Sequence, residues 1–182
     1  SRISSVIQLM TKNLNNDVKK HLSTITPTET NNNIRLDIYN CDPNMHEKSK
    51  WGDNSLNYEY ISDISGWEEL ENQKTSDGRA FSSATYGLGG TTFKPRTIMC
   101  LENIICKINS NYTHESIFIH EFAHTIQEVG IKLGDPSLYE EFNQLYLIYK
   151  DKVGGECSHI YACDVRELFA EATQVWFGVT KR

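Results

Sequence analysis

Residues 115–130 read ESIFIHEFAHTIQEVG. His120 and His124 stand four apart, Glu121 follows the first of them, and Phe118, Phe122, Ile126 and Val129 add an apolar face at helical spacing. On a helix, residues i and i+4 lie about one turn apart on one side. Both imidazoles can then reach one tetrahedral ion at the ~2.0–2.1 Å of a zinc–nitrogen bond. Glu121 is turned about 100° round the axis from His120, so its carboxylate can touch a water on that ion without binding the metal. Zinc lowers the pKa of such a water towards ~7, and the carboxylate accepts its proton. The plainer alternative is a structural histidine pair on a packed helix. The complete H-E-x-x-H pattern with its apolar flanks favours a metal site.

Two histidines leave a catalytic zinc one protein ligand short. The extended pattern H-E-x-x-H-x-x-G-x-x-H is ruled out, because Gln127 holds the glycine position and Gly130 the place of the third histidine. The other common solution is a carboxylate from a later helix. The stretch RELFAEA, residues 166–172, offers Glu167 and Glu171, again four apart on one face. One would bind zinc, and the other could accept a hydrogen bond from a ligand histidine and fix its tautomer. Glu167 has a competing role, since Asp164-x-x-Glu167 has the form of a capping box. Beside the histidine motif, Glu167 is preferred as the ligand. For Glu171 the competing reading is a solvated surface carboxylate.

FIHEFAH (118–124), followed at this distance by ELFAEA (167–172), resembles the lethal-factor-like gluzincins, the zinc metallopeptidase family of the anthrax lethal factor and Pro-Pro endopeptidase type. The resemblance is sharp over 117–128 and 160–177 and looser over 84–101; residues 1–80 carry none. It implies an α+β, zincin-like zinc endopeptidase in which the first glutamate of E-x-F-A-E binds the metal, here Glu167. It also implies a tyrosine that helps stabilise the oxyanion, seven residues before that glutamate. Here Tyr161 stands six before it, and His159 is the competitor, because a histidine can equally donate to an oxyanion.

Outward from this centre, Ile3, Ile7, Met10, Leu14, Val18 and Leu22 form one apolar stripe, which predicts an amphipathic helix ending on Lys19, Lys20 and His21. NIRLDIYNC (33–41) alternates as a half-buried strand, and LNYEYIS (56–62) is a weaker one. Residues 72–95 read as loop, ending in YGLGGTTFKP; the glycines do not match a dinucleotide-binding pattern, because position 92 is threonine. RTIMCLENIICKI (96–108) reads as a strand or hairpin. RTIMCLE is a candidate sheet edge for an extended peptide substrate, or an ordinary core strand. The metal helix is expected to be capped by Thr113 and to stop at Gly130; a second helix should begin at Pro136 and run through Tyr149. Asp164 should cap a third that ends at Gly178.

The 182 residues fit a single catalytic domain, with an N-terminal helix and small mixed sheet over about 1–110 and a helical lobe over about 111–182. A formal charge of −6 argues against nucleic-acid or anionic-membrane partners. No apolar run approaches the ~20 residues of a membrane span. Five cysteines (Cys41, Cys100, Cys106, Cys157 and Cys163) include no C-x-x-C. The spacings 100/106 and 157/163 could close small disulfide loops, which with the Asn111 glycosylation sequon favours a secreted protein; buried thiols are the alternative.

The expectation is therefore a zinc endopeptidase acting on peptides or proteins, its oligomeric state open with a monomer favoured. His120, His124 and Glu167 would hold one zinc ion, Glu121 would be the general base, Tyr161 or His159 would assist the oxyanion, and Glu171 would orient the ligands. Two other classes stay open: a metalloprotease-like binding protein without turnover, and a zinc hydrolase acting on a non-peptide bond.

Overall fold

A computed structural model describes residues 2–23, 35–39, 87–92, 95–100, 115–152 and 164–180. The expected strand at 56–62, the Thr113 cap, the sequon, Tyr161 and His159 lie outside these residues, as do the side chains of all five cysteines.

The N-terminal stripe forms two helices rather than the single one its periodicity predicts: α1 (Arg2–Thr11) and α2 (Asn16–Ser23). Asparagine chemistry makes the break. The Asn15 side-chain oxygen accepts the Val18 N–H at 2.8 Å, capping α2, while the Leu14 N–H closes a turn onto the Thr11 carbonyl. Such a cap stabilises a new helix start by about 1 kcal/mol and competes with continuation of the old one. The stripe survives the break. Met10 and Val18 are buried in the core, and Ile3, Ile7, Leu14 and Leu22 pack partly against it.

Three strands, β1 (Arg35–Tyr39), β2 (Gly87–Leu88) and β3 (Arg96–Cys100), make a mixed sheet in the order β1-β3-β2. β1 runs parallel to β3, with Leu36 opposite Thr97; β2 runs antiparallel to it, with Gly87 opposite Met99 and Leu88 opposite Ile98. Thr97, Ile98 and Met99 are all buried although successive side chains face opposite sides. Paired with β1 on one side and β2 on the other, RTIMC is the central strand, not the edge. Among the described residues β1 and β2 are its outer neighbours, and β2 lies in the stretch expected to be loop.

The C-terminal half is helical. α3 (Ile117–Thr125) passes without interruption into a π-helical segment (Ile126–Ile131) and a last turn, α4 (Lys132–Gly134). The described cap is Ser116, whose hydroxyl oxygen faces the Ile119 N–H at 3.4 Å. Gly130 does not stop this helix. A Cβ there would meet Val18 and Leu22 side-chain atoms at 3.0 Å, so the glycine instead lets α2 pack closely. Helix α5 (Pro136–Lys152) starts at proline as expected, with the Asp135 carboxylate accepting the Leu138 N–H. Helix α6 (Val165–Trp176) has the expected Asp164 cap, and Gly178 follows it with φ +63°, the left-handed conformation that closes a helix at glycine.

The whole is α+β, with one core cluster drawn from α1, α2, β3, α3, the π-helical segment and α6. Among the described residues no helix is long and apolar enough to cross a membrane.

Candidate metal centre

Helix α6 lies antiparallel to α3. Its first turn meets His120 and His124, and its last turn meets the start of α3, where the Ser116 N–H donates to the Val179 carbonyl. The apolar seam between the two is made by Ala123 and Ala170, both fully buried, with Phe118, Ile119 and Phe122 beside them. Alanines at a seam allow close approach, and that approach brings a carboxylate from α6 onto the histidine pair of α3.

Three side chains converge. His120 Nε2 is 3.2 Å from His124 Nε2 and 3.2 Å from Glu167 Oε2, and His124 Nε2 is 3.5 Å from Glu167 Oε1. One ligand atom from each of these residues lies within 4.8 Å of the others, so the group could hold a metal ion. Two imidazoles and a carboxylate are a donor set that zinc takes, and tetrahedral ligands at ~2.0–2.1 Å stand about 3.3 Å apart, close to the 3.2 Å separations of His120 Nε2 from His124 Nε2 and Glu167 Oε2. Glu167 does not reach back as a capping box would; its carboxylate turns to the histidines. The cap is supplied by Asp164 alone, whose carboxylate accepts the N–H groups of Arg166, at 2.7 Å, and Glu167. Arg166 clamps the same carboxylate through its guanidinium.

Glu171 lies one turn further along α6, with Oε1 3.7 Å from His120 Nδ1. A closer partner of that nitrogen is Gln174, whose Oε1 is 3.2 Å away and whose amide nitrogen donates to the Ser116 carbonyl at 3.1 Å. Nothing in the sequence marks an amide as a site residue. Its one signal is spacing, since Gln174 comes seven residues after Glu167 and thus about two turns along the same face.

Glu121 is held from above by β2. The Gly89 N–H donates to its carboxylate. A Cβ at Gly87 would stand 2.6 Å from Glu121 Cγ, and one at Gly89 would stand 2.3 Å from His124 Cβ and 2.7 Å from the Glu121 carbonyl oxygen. Only glycine lets this strand pass so near the motif. Gly90 extends the anchor: its N–H donates to Thr125 Oγ1 at 2.7 Å, and Thr125 shares a 2.6 Å hydrogen bond with Thr97 of β3.

The electrostatics follow from burial and crowding. Burial works to lower the pKa of His120, but its hydrogen bond to Glu167 and the charges of Glu121 and Glu167 outweigh that and raise it to about 9. Burial raises Glu121 to about 7, with the Glu167 charge adding and the His120 charge and Gly89 N–H opposing. His124 falls to about 4, through burial and then the charge of His120. For Glu167 burial works upwards, yet the His120 hydrogen bond and the two histidine charges hold its carboxyl below the usual range.

The structure thus brings together His120, His124, Glu167, Glu121 and Glu171 of the expected residues. Comparison with protein-family models, with curated proteins and with solved structures finds no match for this chain.

Proposed function

We propose that the protein is a zinc-dependent endopeptidase with a zincin-like catalytic domain. The observation that carries this reading is the convergence of His120, His124 and Glu167, with one ligand atom of each within 4.8 Å of the others and His120 Nε2 3.2 Å from both His124 Nε2 and Glu167 Oε2. His120 and His124 present imidazole nitrogens to the ion and Glu167 a carboxylate oxygen. When bound, zinc supplies Lewis acidity, easing loss of a proton from water and polarising a carbonyl.

The chain supplies the rest. Glu121 takes the proton from the attacking water and returns it to the leaving amine, and a pKa raised by burial suits a carboxylate to both steps. The Gly89 N–H keeps the Glu121 carboxylate aimed while its charge changes. An extended peptide adds to the outer strand β2 by backbone hydrogen bonds, which lays its carbonyls across the face of α3 that bears the motif. Tyr161 or His159 assists the oxyanion. Export, suggested by the cysteine spacings and the sequon, belongs to the same reading.

The test combines metal analysis with cleavage of a mixed peptide library by the parent and Glu121→Gln. The parent should hold about one zinc and cleave. Glu121→Gln should keep its zinc and lose at least about 100-fold in rate, the usual contribution of a general base. A zinc-loaded parent that cleaves no peptide leaves the binding-protein class, or, if it hydrolyses esters, the non-peptide class. A parent that cannot be loaded with zinc sinks the proposal.

A further inference from the structure

We infer that Gln174, rather than Glu171, is the positioning residue that fixes the orientation and tautomer of His120. The consequence for zinc rests on the function proposed above; the geometry does not.

Gln174 is fully buried, at 0% exposure, so both ends of its amide need partners. The nitrogen end donates to the Ser116 carbonyl at 3.1 Å, an oxygen that also accepts the His120 N–H at the head of α3. That leaves Oε1 facing His120 Nδ1 at 3.2 Å. A flipped amide would set oxygen against the Ser116 oxygen, acceptor on acceptor, so the alternative is disfavoured at one end before the histidine is considered. With an acceptor in front of it, Nδ1 carries a proton, so Nε2, beside His124 and Glu167, is the nitrogen left for an ion. Glu171 Oε1, at 3.7 Å from the same nitrogen, is beyond hydrogen-bond length.

The arrangement has a chemical logic. An amide cannot take the histidine's proton and adds no further anion beside Glu121 and Glu167. It also ties the ring to the backbone of its own helix cap, so α3 and α6 must be docked for His120 to be aimed. A single face of α6 therefore delivers both a ligand, Glu167, and the group that sets the ring of another.

The test uses the full chain labelled with nitrogen-15, with and without zinc, and follows the His120 Nδ1–H proton and its exchange with water. In the parent this proton should exchange slowly and show a cross-relaxation peak to the Gln174 side chain. In Gln174→Leu it should exchange at least about tenfold faster, the loss of roughly one hydrogen bond. Zinc affinity should drop by about 10–100-fold, as for other partners of ligand histidines. Glu171→Gln should leave the ring proton within about twofold of the parent. Should Glu171→Gln move it as far as Gln174→Leu does, or should the slow proton survive in Gln174→Leu, the inference is overturned. If Gln174→Leu does not fold, the parent decides alone: a cross-relaxation peak to Gln174 supports the inference and a peak to Glu171 instead overturns it. Because the metal-free chain reports the ring proton too, a protein that binds no zinc would defeat the proposed function while still testing Gln174.

Discussion

Helix α5 turns Leu138, Leu145, Leu147 and Ile148 outward and buries Tyr146 alone, whereas α6 buries a glutamine completely and holds Glu167 and Glu171 against histidines. At its far end α6 leaves Trp176 85% exposed. Composition does not sort them this way, since α5, with Glu140, Glu141, Lys150, Asp151 and Lys152, is no more apolar than α6. The difference is one of partners. A polar group can be buried when another group satisfies it, and Glu167, Glu171 and Gln174 all meet the histidine helix. The apolar residues of α5 gain nothing comparable, because no described element covers that face. A buried polar side chain with a matched partner is therefore the better marker of function in this molecule.

The comparison can be broken most directly at Glu167. Glu167→Ala removes one of the three proposed ligands. Zinc affinity, measured by chelator competition, should drop by more than the about 10–100-fold typical of losing a ligand's hydrogen-bond partner, and peptide cleavage should vanish with it. Retained zinc would mean that α6 is scaffold after all.

A smaller effect tests whether the centre also depends on the sheet. Gly89→Ala places a methyl 2.3 Å from His124 Cβ and 2.7 Å from a backbone oxygen, and backbone cannot simply swing away. The expected cost is about 1–3 kcal/mol in denaturant unfolding, accompanied by reduced cleavage as the Gly89 N–H shifts off Glu121. Unchanged activity would detach β2 from the site. The smallest change is expected on α5: Leu145→Ser, at a side chain 56% exposed, should alter stability by no more than about 0.5 kcal/mol and leave zinc content as it was. A large loss there would show that the outward apolar face of α5 is in use.

The histidine pair and Glu121 were legible because a helix has one repeat, and spacing of four along it means proximity. Glu167 was legible through its distance from that motif and the company of Glu171. Gln174 was not, since its role depends on how α6 crosses α3, which no local pattern encodes. The N-terminal stripe predicted the buried face correctly but not the break in it, because apolar periodicity runs through Asn15 while the asparagine side chain takes over a backbone N–H. β2 was missed for a related reason. Gly87 and Gly89 look like a loop to any propensity argument, yet the first is a strand position and the second follows it, and their missing side chains let this segment lie on Glu121 and His124. Whether RTIMCLE was an edge or a core strand stayed open in the sequence, because its neighbours, β1 and β2, come from stretches far apart in the chain.

One further property follows from the π-helical segment. All six residues from Ile126 to Ile131 are buried, Gln127 and Glu128 among them. An ordinary amphipathic helix shows solvent once per turn and so offers regular positions where change is harmless. This stretch offers none. It forms a dense mutational target immediately downstream of the motif, so a random-substitution library should be depleted of survivors across these six consecutive codons and populated along most of α5.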